Sequence, residues 1–485
     1  MATSVDHHSH PCRARLHTDT QIHSRGTWGF KVHMMKQSIR IFLLFLTGAA
    51  YIASYGYAYS RAVALGIGMV PTTSTYQSHV AISTYILPLT LATVLCVVFC
   101  LQLPALKSVK LQLIVIGIIS FCVSLWVISR PLTLSLDTYR YLWDGHLLVH
   151  GVSPYRAVPL SPVLDAYRNF RYWPLVGWKT TPDAYPPLSQ IYFVAAAAIK
   201  DGALWPYRTI AFVNQCVSLV LYLIVLKKRA RPHGLQRKDI FAFALFALFP
   251  PVINELIGAS HVDTFAVPWL LLAWWMWLEN RPLVVGIALG LATLIKLWPI
   301  VLIPAFWRWG EKKSNALMIA SGGITLIAGF APFMLLGHGH VFAFYHKDLF
   351  FDESLYFPVR RFIQHTRHGA TVILAVMELL AWTYMLSKRG RALTFEQKVT
   401  ILGMTFLLSS PMLRPWYPIP LIPFAALAGD FSVFYLSVSI QTLGSLTPRE
   451  FFPYLPIEFI PTYAAAIFQW FVQWPRAAVR KLRTE

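Results

Sequence analysis

The sequence predicts an all-α polytopic integral membrane protein, with about 11–14 membrane helices and a structured outer loop carrying short amphipathic helices. Three observations predict it. Of the 485 residues, 56% are apolar and only 13% charged, where a soluble chain averages about 25% charged. The apolar residues run in blocks of roughly 15–25, the length a helix needs to cross a ~30 Å hydrocarbon core. Lys and Arg gather in short connectors between blocks, at Lys227–Arg231, Lys312-Lys313, Lys388–Arg391 and Arg480–Arg483, as they do in cytoplasmic loops. A soluble all-α protein of this size would interleave its core with charged surface.

The elements follow in order. Residues 1–38 are polar, basic and His-rich, with no apolar core of a signal peptide. They read as a disordered segment in which His7, His8 and His10 offer metal ligands, or as untranslated sequence if the start is Met34 or Met35. Residues 39–475 form the membrane domain, and 476–485 a basic cytoplasmic tail. Spans are expected at about 41–58, 80–103 and 111–128. A segment from 129 to 185 then carries aromatics, prolines and arginines. It is too polar to cross a bilayer and too aromatic for a disordered linker. Further apolar blocks run at about 187–200, 208–226, 239–257, 264–279, 283–307, 315–336, 370–387, 398–413, 416–429, 431–445 and 458–474.

The basic connectors place both termini in the cytoplasm and 129–185 outside, in a cell membrane. Counting from the two ends disagrees by one crossing between 185 and 226. A re-entrant block at 187–200 reconciles the counts, since irregular backbone is tolerated where it lines a cavity. The stretch 283–307, interrupted near Lys296–Pro299, is a second candidate. Although the net charge is +21, no basic patch interleaved with aromatics lies outside the apolar blocks, which argues against nucleic acid. The cysteines at 96, 100, 122 and 216 lie inside apolar blocks and read as reduced packing residues.

Carboxylates are scarce, 21 in the whole chain, so their positions are informative. Just past a span, Asp137, Tyr139, Arg140, Tyr141 and Asp144 crowd together, and a helix would put both carboxylates on one face, two turns apart. Such a cluster suits a general base beside a charged or sugar substrate; it equally suits an interfacial helix with its Asp paired to Arg. Tyr155 closes a Gly-x-Ser-Pro-Tyr turn, and Tyr185 precedes two prolines that open a helix. Glu255, His261, Asp263 and Lys296 lie within or at the rim of apolar blocks, where ionisable groups are costly and mark functional sites. A metal held by Glu255, His261 and Asp263 lacks the spacing of known ligand motifs. Arg414, Trp416 and Tyr417 could grip a phosphate and stack on a sugar ring, or form an aromatic belt. Arg360 and Arg361 are secondary phosphate-contact candidates, though arginines so placed are more often simply interfacial.

The combined order resembles the GT-C superfamily of membrane glycosyltransferases, and most closely its bacterial polyprenyl-phosphate-mannose-dependent, mannosyltransferase-like members. The resemblance rests on Asp137 to Asp144, Gly151 to Tyr155 and Tyr185 to Leu188, then on Ala259 to Asp263, Lys296 to Pro299 and Pro415 to Tyr417. Two positions depart from the pattern: Leu136 replaces a frequent second acid, and Ser260 replaces the usual glycine before the histidine. The resemblance implies inverting transfer of a hexose, such as mannose, from a polyprenyl-phosphate donor to a lipid-linked or cell-envelope glycan acceptor. It implies Asp137 as the base with Asp144 as rival or helper. Arg140, Lys296 and Arg414 would hold the phosphate, and His261 and Asp263 would shape the pocket. No cofactor is implied, a divalent cation staying open. The alternatives are a transporter or flippase of lipid-linked sugars, whose paired repeats are not visible here, and a lipid-linked glycan ligase or polymerase.

Overall fold

The structure is a computed structural model that describes residues 19–67, 80–336, 340–346, 367–410, 413–443 and 448–475. Among these residues every regular element is helical, as expected for a polytopic α protein. Fifteen helices serve the description. They are α1 (Asp19–Leu65), α2 (Leu87–Gln102), α3 (Val109–Ile128), α4 (Asp137–Val149) and α5 (Pro187–Ile199). After them come α6 (Trp205–Arg229), α7 (Arg237–Leu248), α8 (Ala266–Leu278), α9 (Pro282–Thr293) and α10 (Lys312–Leu336). The last are α11 (Arg367–Leu386), α12 (Phe395–Ser409), α13 (Ile422–Ala428), α14 (Phe431–Leu443) and α15 (Pro448–Ile467). The first helix begins at Asp19, inside the stretch 1–38 expected to be disordered. Residues 1–18 and 476–485, with Arg360 and Arg361, lie outside the described residues.

Among the described residues, five helices are long and apolar enough to cross a membrane: Gln37–Leu65, Ile82–Ala105, Val109–Ile128, Trp205–Arg229 and Lys312–Leu335. The pair Arg237–Leu248 and Pro250–Gly258, bent by 43° at its break, makes a sixth if the two halves are one span. Six more apolar helices of 10–17 residues accompany them. Five or six spans among the described residues support the polytopic class but are fewer than the 11–14 membrane helices expected. Proline opens two of the shorter helices, at Pro187 and Pro282, and Gly429 ends a third. Helix α5, 13 residues long, spans only about 20 Å at 1.5 Å per residue, in keeping with a re-entrant segment. The break expected near Lys296 is present too, since α9 ends at Thr293 and a 3-10 turn runs from Trp298 to Leu302.

The core sits on α7 and the broken chain after it. From Ala242 to Phe249 every side chain is buried, because α7 is enclosed by α2, α3, α6 and α13. Phe249 turns extended and Pro250-Pro251 restart the chain; proline has no N–H to continue the ladder. A π-helical turn at Asn254–Gly258 and a 3-10 turn at Val262–Phe265 follow. Unwound backbone of this kind is tolerated inside a membrane protein only where protein encloses it, and here all of residues 249–266 are buried.

Helix α6 orients the site. Near its start Arg208 donates to the carbonyls of Arg130 (2.5 Å) and Val127 (3.1 Å), which fixes the beginning of the 129–185 segment there. At its other end Lys228 pairs with Glu279 (2.8 Å), and Arg229 pairs with Glu396 and with Asp239 (3.5 Å). The aromatic segment and the basic connector thus lie at opposite ends of a helix about 37 Å long.

Two of the close approaches that need glycine join neighbouring helices. A Cβ on Gly145 would sit 2.4 Å from the carbonyl oxygen of Phe193, so α4 packs on α5 backbone to backbone. At Gly286 an added Cβ would lie 2.1 Å from the carbonyl oxygen of Met318, where α9 meets α10. Only 11% of the apolar window of α10 is buried; its hold on the fold is this small-residue seam.

Candidate active site

A cavity of about 700 Å³ opens between the 129–185 segment and the broken helices. Leu134, Ser135, Leu136, Asp137 and Arg140 form one wall with Gly177, Trp178 and residues 181–185; Lys296, Leu297 and Trp298 form the other with Phe406, Leu407, Ser410 and residues 413–417. Phe344, Leu374 and Ile440 add an apolar flank. Motifs far apart in sequence meet here because helix ends were left with unpaired backbone. Leu188 N–H, at the proline-opened start of α5, donates to the Leu294 carbonyl at the end of α9 (2.9 Å). Ser189 Oγ donates to the Ile295 carbonyl (2.9 Å). Each joins an orphan group of a helix terminus to a partner. Together they set Tyr185 beside Lys296.

Asp137 occupies the first turn of α4, the helix end that favours negative charge. Its carboxylate faces the cavity and accepts a hydrogen bond from Trp178 Nε1 at 3.2 Å. Trp178 holds a left-handed backbone, φ 54°, a conformation costing a non-glycine residue about 1–2 kcal/mol. Arg140 fixes it there. Its Nη1 donates to the carbonyls of Trp178 (3.1 Å) and Thr181 (3.2 Å), while Nε donates to Asp144 at 3.0 Å.

Asp144 is fully buried behind Arg140 and is absent from the cavity wall. The two carboxylates share a helix as expected, but only Asp137 reaches the cavity. Burial pushes Asp144 up to about 6, with Arg140 pulling it back down. Asp183, which sequence reasoning missed, is buried beside it and accepts from Tyr185 N–H (3.3 Å) and from Gln190 Nε2. Burial raises the Asp183 carboxyl well above its usual range, and the neighbouring Asp144 raises it further. Two close carboxylates in one dry site favour sharing a proton.

On the opposite wall Lys296 Nζ meets Asp263 at 2.9 Å and lies over the rings of Tyr185 (5.5 Å) and Tyr417 (5.2 Å). Arg414 and Trp416 line the same wall. The ring of His261 stacks on Trp416, centroids 3.6 Å apart. Behind it His261 Nδ1 lies 2.7 Å from Glu255, which accepts from Gln441 (2.8 Å); Gln441 in turn accepts from Asn254, and Asn254 from Tyr55. Ser260, at the position where the resemblance expects glycine, has φ 55°. Its hydroxyl donates to the Ile257 carbonyl at 2.8 Å. The pattern's glycine and this serine serve one backbone requirement.

The structure brings Asp137, Arg140, Tyr185, Lys296, Arg414, Trp416 and Tyr417 to one cavity. It sets the others behind the wall. Tyr139 packs on Tyr172 and Tyr141 on Phe193; Tyr155 donates its hydroxyl to the Tyr185 carbonyl. Glu255, His261 and Asp263 are buried supports, and Asp263 turns to Lys296 rather than to a shared metal position. Trp178 and Asp183 were not singled out from sequence; the signal available was the scarcity of acids and the aromatic density of 170–185.

Residues 184–411 match the family model of glycosyltransferase family 87, a family of GT-C-type membrane glycosyltransferases. That segment contains Tyr185, Glu255, His261, Asp263 and Lys296, and it ends just before Arg414. No curated protein matches the chain.

Proposed function

We propose that this membrane glycosyltransferase inverts the anomeric centre of a sugar, with mannose the first candidate. The donor is a polyprenyl-phosphate sugar, and the acceptor is a hydroxyl of a lipid-linked or cell-envelope glycan. The observation that carries the reading is the cavity itself, with the Asp137 carboxylate on one wall and the Lys296 and Arg414 cations on the other.

In this reading Asp137 accepts the proton of the acceptor hydroxyl as its oxygen attacks the anomeric carbon. The bond from that carbon to the phosphate oxygen breaks, and its electron pair leaves on the polyprenyl phosphate. A phosphate leaving group needs no general acid, so one carboxylate is sufficient. Lys296 and Arg414 stabilise the charge that develops on the departing phosphate. Asp263 and the two tyrosine rings hold Lys296 in place. Arg140, Asp144 and Asp183 shape the loop that carries Trp178, so we assign Asp144 a supporting role. The apolar flank suits the prenyl chain of the donor.

The reaction belongs on the outer face of the cell membrane. Supporting this, the 129–185 segment lies at the end of α6 away from the basic connector, and basic connectors favour the cytoplasm. The test is transfer from radiolabelled polyprenyl-phosphate mannose in membranes containing the chain, with Asp137→Asn in parallel. Incorporation lost in the variant supports donor class and base together. Absence of incorporation with mannose, glucose and arabinose donors alike would overturn the reading.

A further inference from the structure

We propose that His146, His150 and Asp201 form a binding site for a zinc-like divalent transition metal that staples α4 to the turn between α5 and α6. The cluster lies outside the cavity, at the far end of the helix that carries Asp137. One ring nitrogen from each histidine and one carboxylate oxygen lie within 4.8 Å of one another. Two imidazoles and a carboxylate are a ligand set that zinc favours, with a remaining position for water.

The geometry is prepared in three ways. His146 lies in the last turn of α4 and His150 caps its C-terminus four residues later, so both rings leave the same side, with centroids 4.5 Å apart. His150 Nδ1 contacts the His146 carbonyl at 2.8 Å, leaving Nε2 as its ligand atom; a carbonyl on the other ring nitrogen is how metal-binding histidines are oriented. His146 is buried against Phe170, and its Nδ1 already meets the Asp201 carboxylate at 2.7 Å. A zinc ion between them would part these two atoms to roughly 3.4 Å, the edge of a tetrahedron with ~2.1 Å bonds. Asp201 is exposed and followed by Gly202 at φ 63°, so the turn that carries it is free to give by that amount.

A metal here would tie α4 to an element beyond α5, and thereby hold the helix whose first turn presents Asp137. This inference does not rest on the proposed transfer reaction. The test is metal content of the purified full chain after zinc loading and desalting, for wild type, His150→Ala and Asp201→Ala. His150 and Asp201 are exposed, so both variants keep the fold. The histidines of the N-terminal segment are common to all three proteins, so the difference between them is the readout. The expected result is one more zinc per wild-type chain than per variant, and a rise in Tm of several degrees on zinc addition to wild type alone. Equal zinc content and equal Tm response in all three would overturn the proposal.

Discussion

The indole N–H of Trp178 donates to Oδ1 of Asp137, while the carbonyl of the same Trp178 accepts from Arg140. One residue, in a strained left-handed conformation, therefore links the cavity carboxylate to the buried ion pair behind it. Strain of this kind persists where its surroundings over-determine it, and it concentrates at functional sites.

Removing the carboxylate and removing its hydrogen bond should have separable effects. Asp137→Asn is expected to lower sugar transfer by about 10²–10⁴-fold, the contribution of a positioned general base, with Tm unchanged. Trp178→Phe keeps the ring but loses the N–H, and a hydrogen bond worth about 1 kcal/mol corresponds to a loss of roughly fivefold. Transfer assays on membranes, paired with thermal unfolding in detergent, separate the two. Full activity in Asp137→Asn would remove it from the mechanism.

Asp144 makes stability depend on pH. Its folded pKa is raised, to about 6, above an unfolded value of about 3.9. Below about pH 4 both states hold the proton; between about 4 and 6 the unfolded chain releases it while the folded chain keeps it. Stability should therefore fall as pH rises through that window and level off above it. Asp183 shifts the same way and extends the fall. In Asp144→Asn the slope of Tm against pH across the window should be shallower; an unchanged slope would show that Asp144 does not titrate there.

Lys296 combines two roles that a paired substitution divides. Lys296→Gln leaves Asp263 buried without its cation, which is expected to cost about 3–5 kcal/mol of stability, and to lower transfer by about 10²–10³-fold. Adding Asp263→Asn should restore most of the Tm but none of the activity. Recovery of both would mean that Lys296 serves folding only.

Ser260 tests the left-handed turn before His261. Ser260→Gly relieves the backbone but loses the hydroxyl bond and gains chain entropy in the unfolded state, so Tm should move little. Ser260→Val, β-branched at positive φ, should destabilise by about 2 kcal/mol or more. Equal tolerance of both in thermal unfolding would contradict the assigned geometry.

Much of this was legible in the chain. Blocks of apolar residues gave the helical membrane class; Asp137 stood out by the scarcity of acids, Lys296 because charge within an apolar block is costly, and Arg414 by its place beside Trp416 and Tyr417. What composition hides is where backbone departs from a straight helix. The block 239–257 read as one span although Pro250-Pro251 splits it, since hydropathy averages over a break. Asp144 and Asp137 looked equivalent by spacing; only the side on which Arg140 folds distinguishes the buried partner from the cavity-facing one. Asp183 hid in a Pro-Asp-Ala-Tyr sequence that reads as a plain turn. His146 and His150 show helical ligand spacing, but their third partner, Asp201, lies across a loop that periodicity does not close.

The seam at Gly286 governs how the protein tolerates its surroundings. Hydrocarbon solvates the outer face of α10 as well as protein would, so no solvent force presses this helix home. Attachment by shape alone is indifferent to exchanging lipid for detergent, and α10 should survive extraction intact. The same independence leaves no reserve against error: a single methyl at Gly286 wedges the helix away in any amphiphile, and no change of bilayer would bring it back.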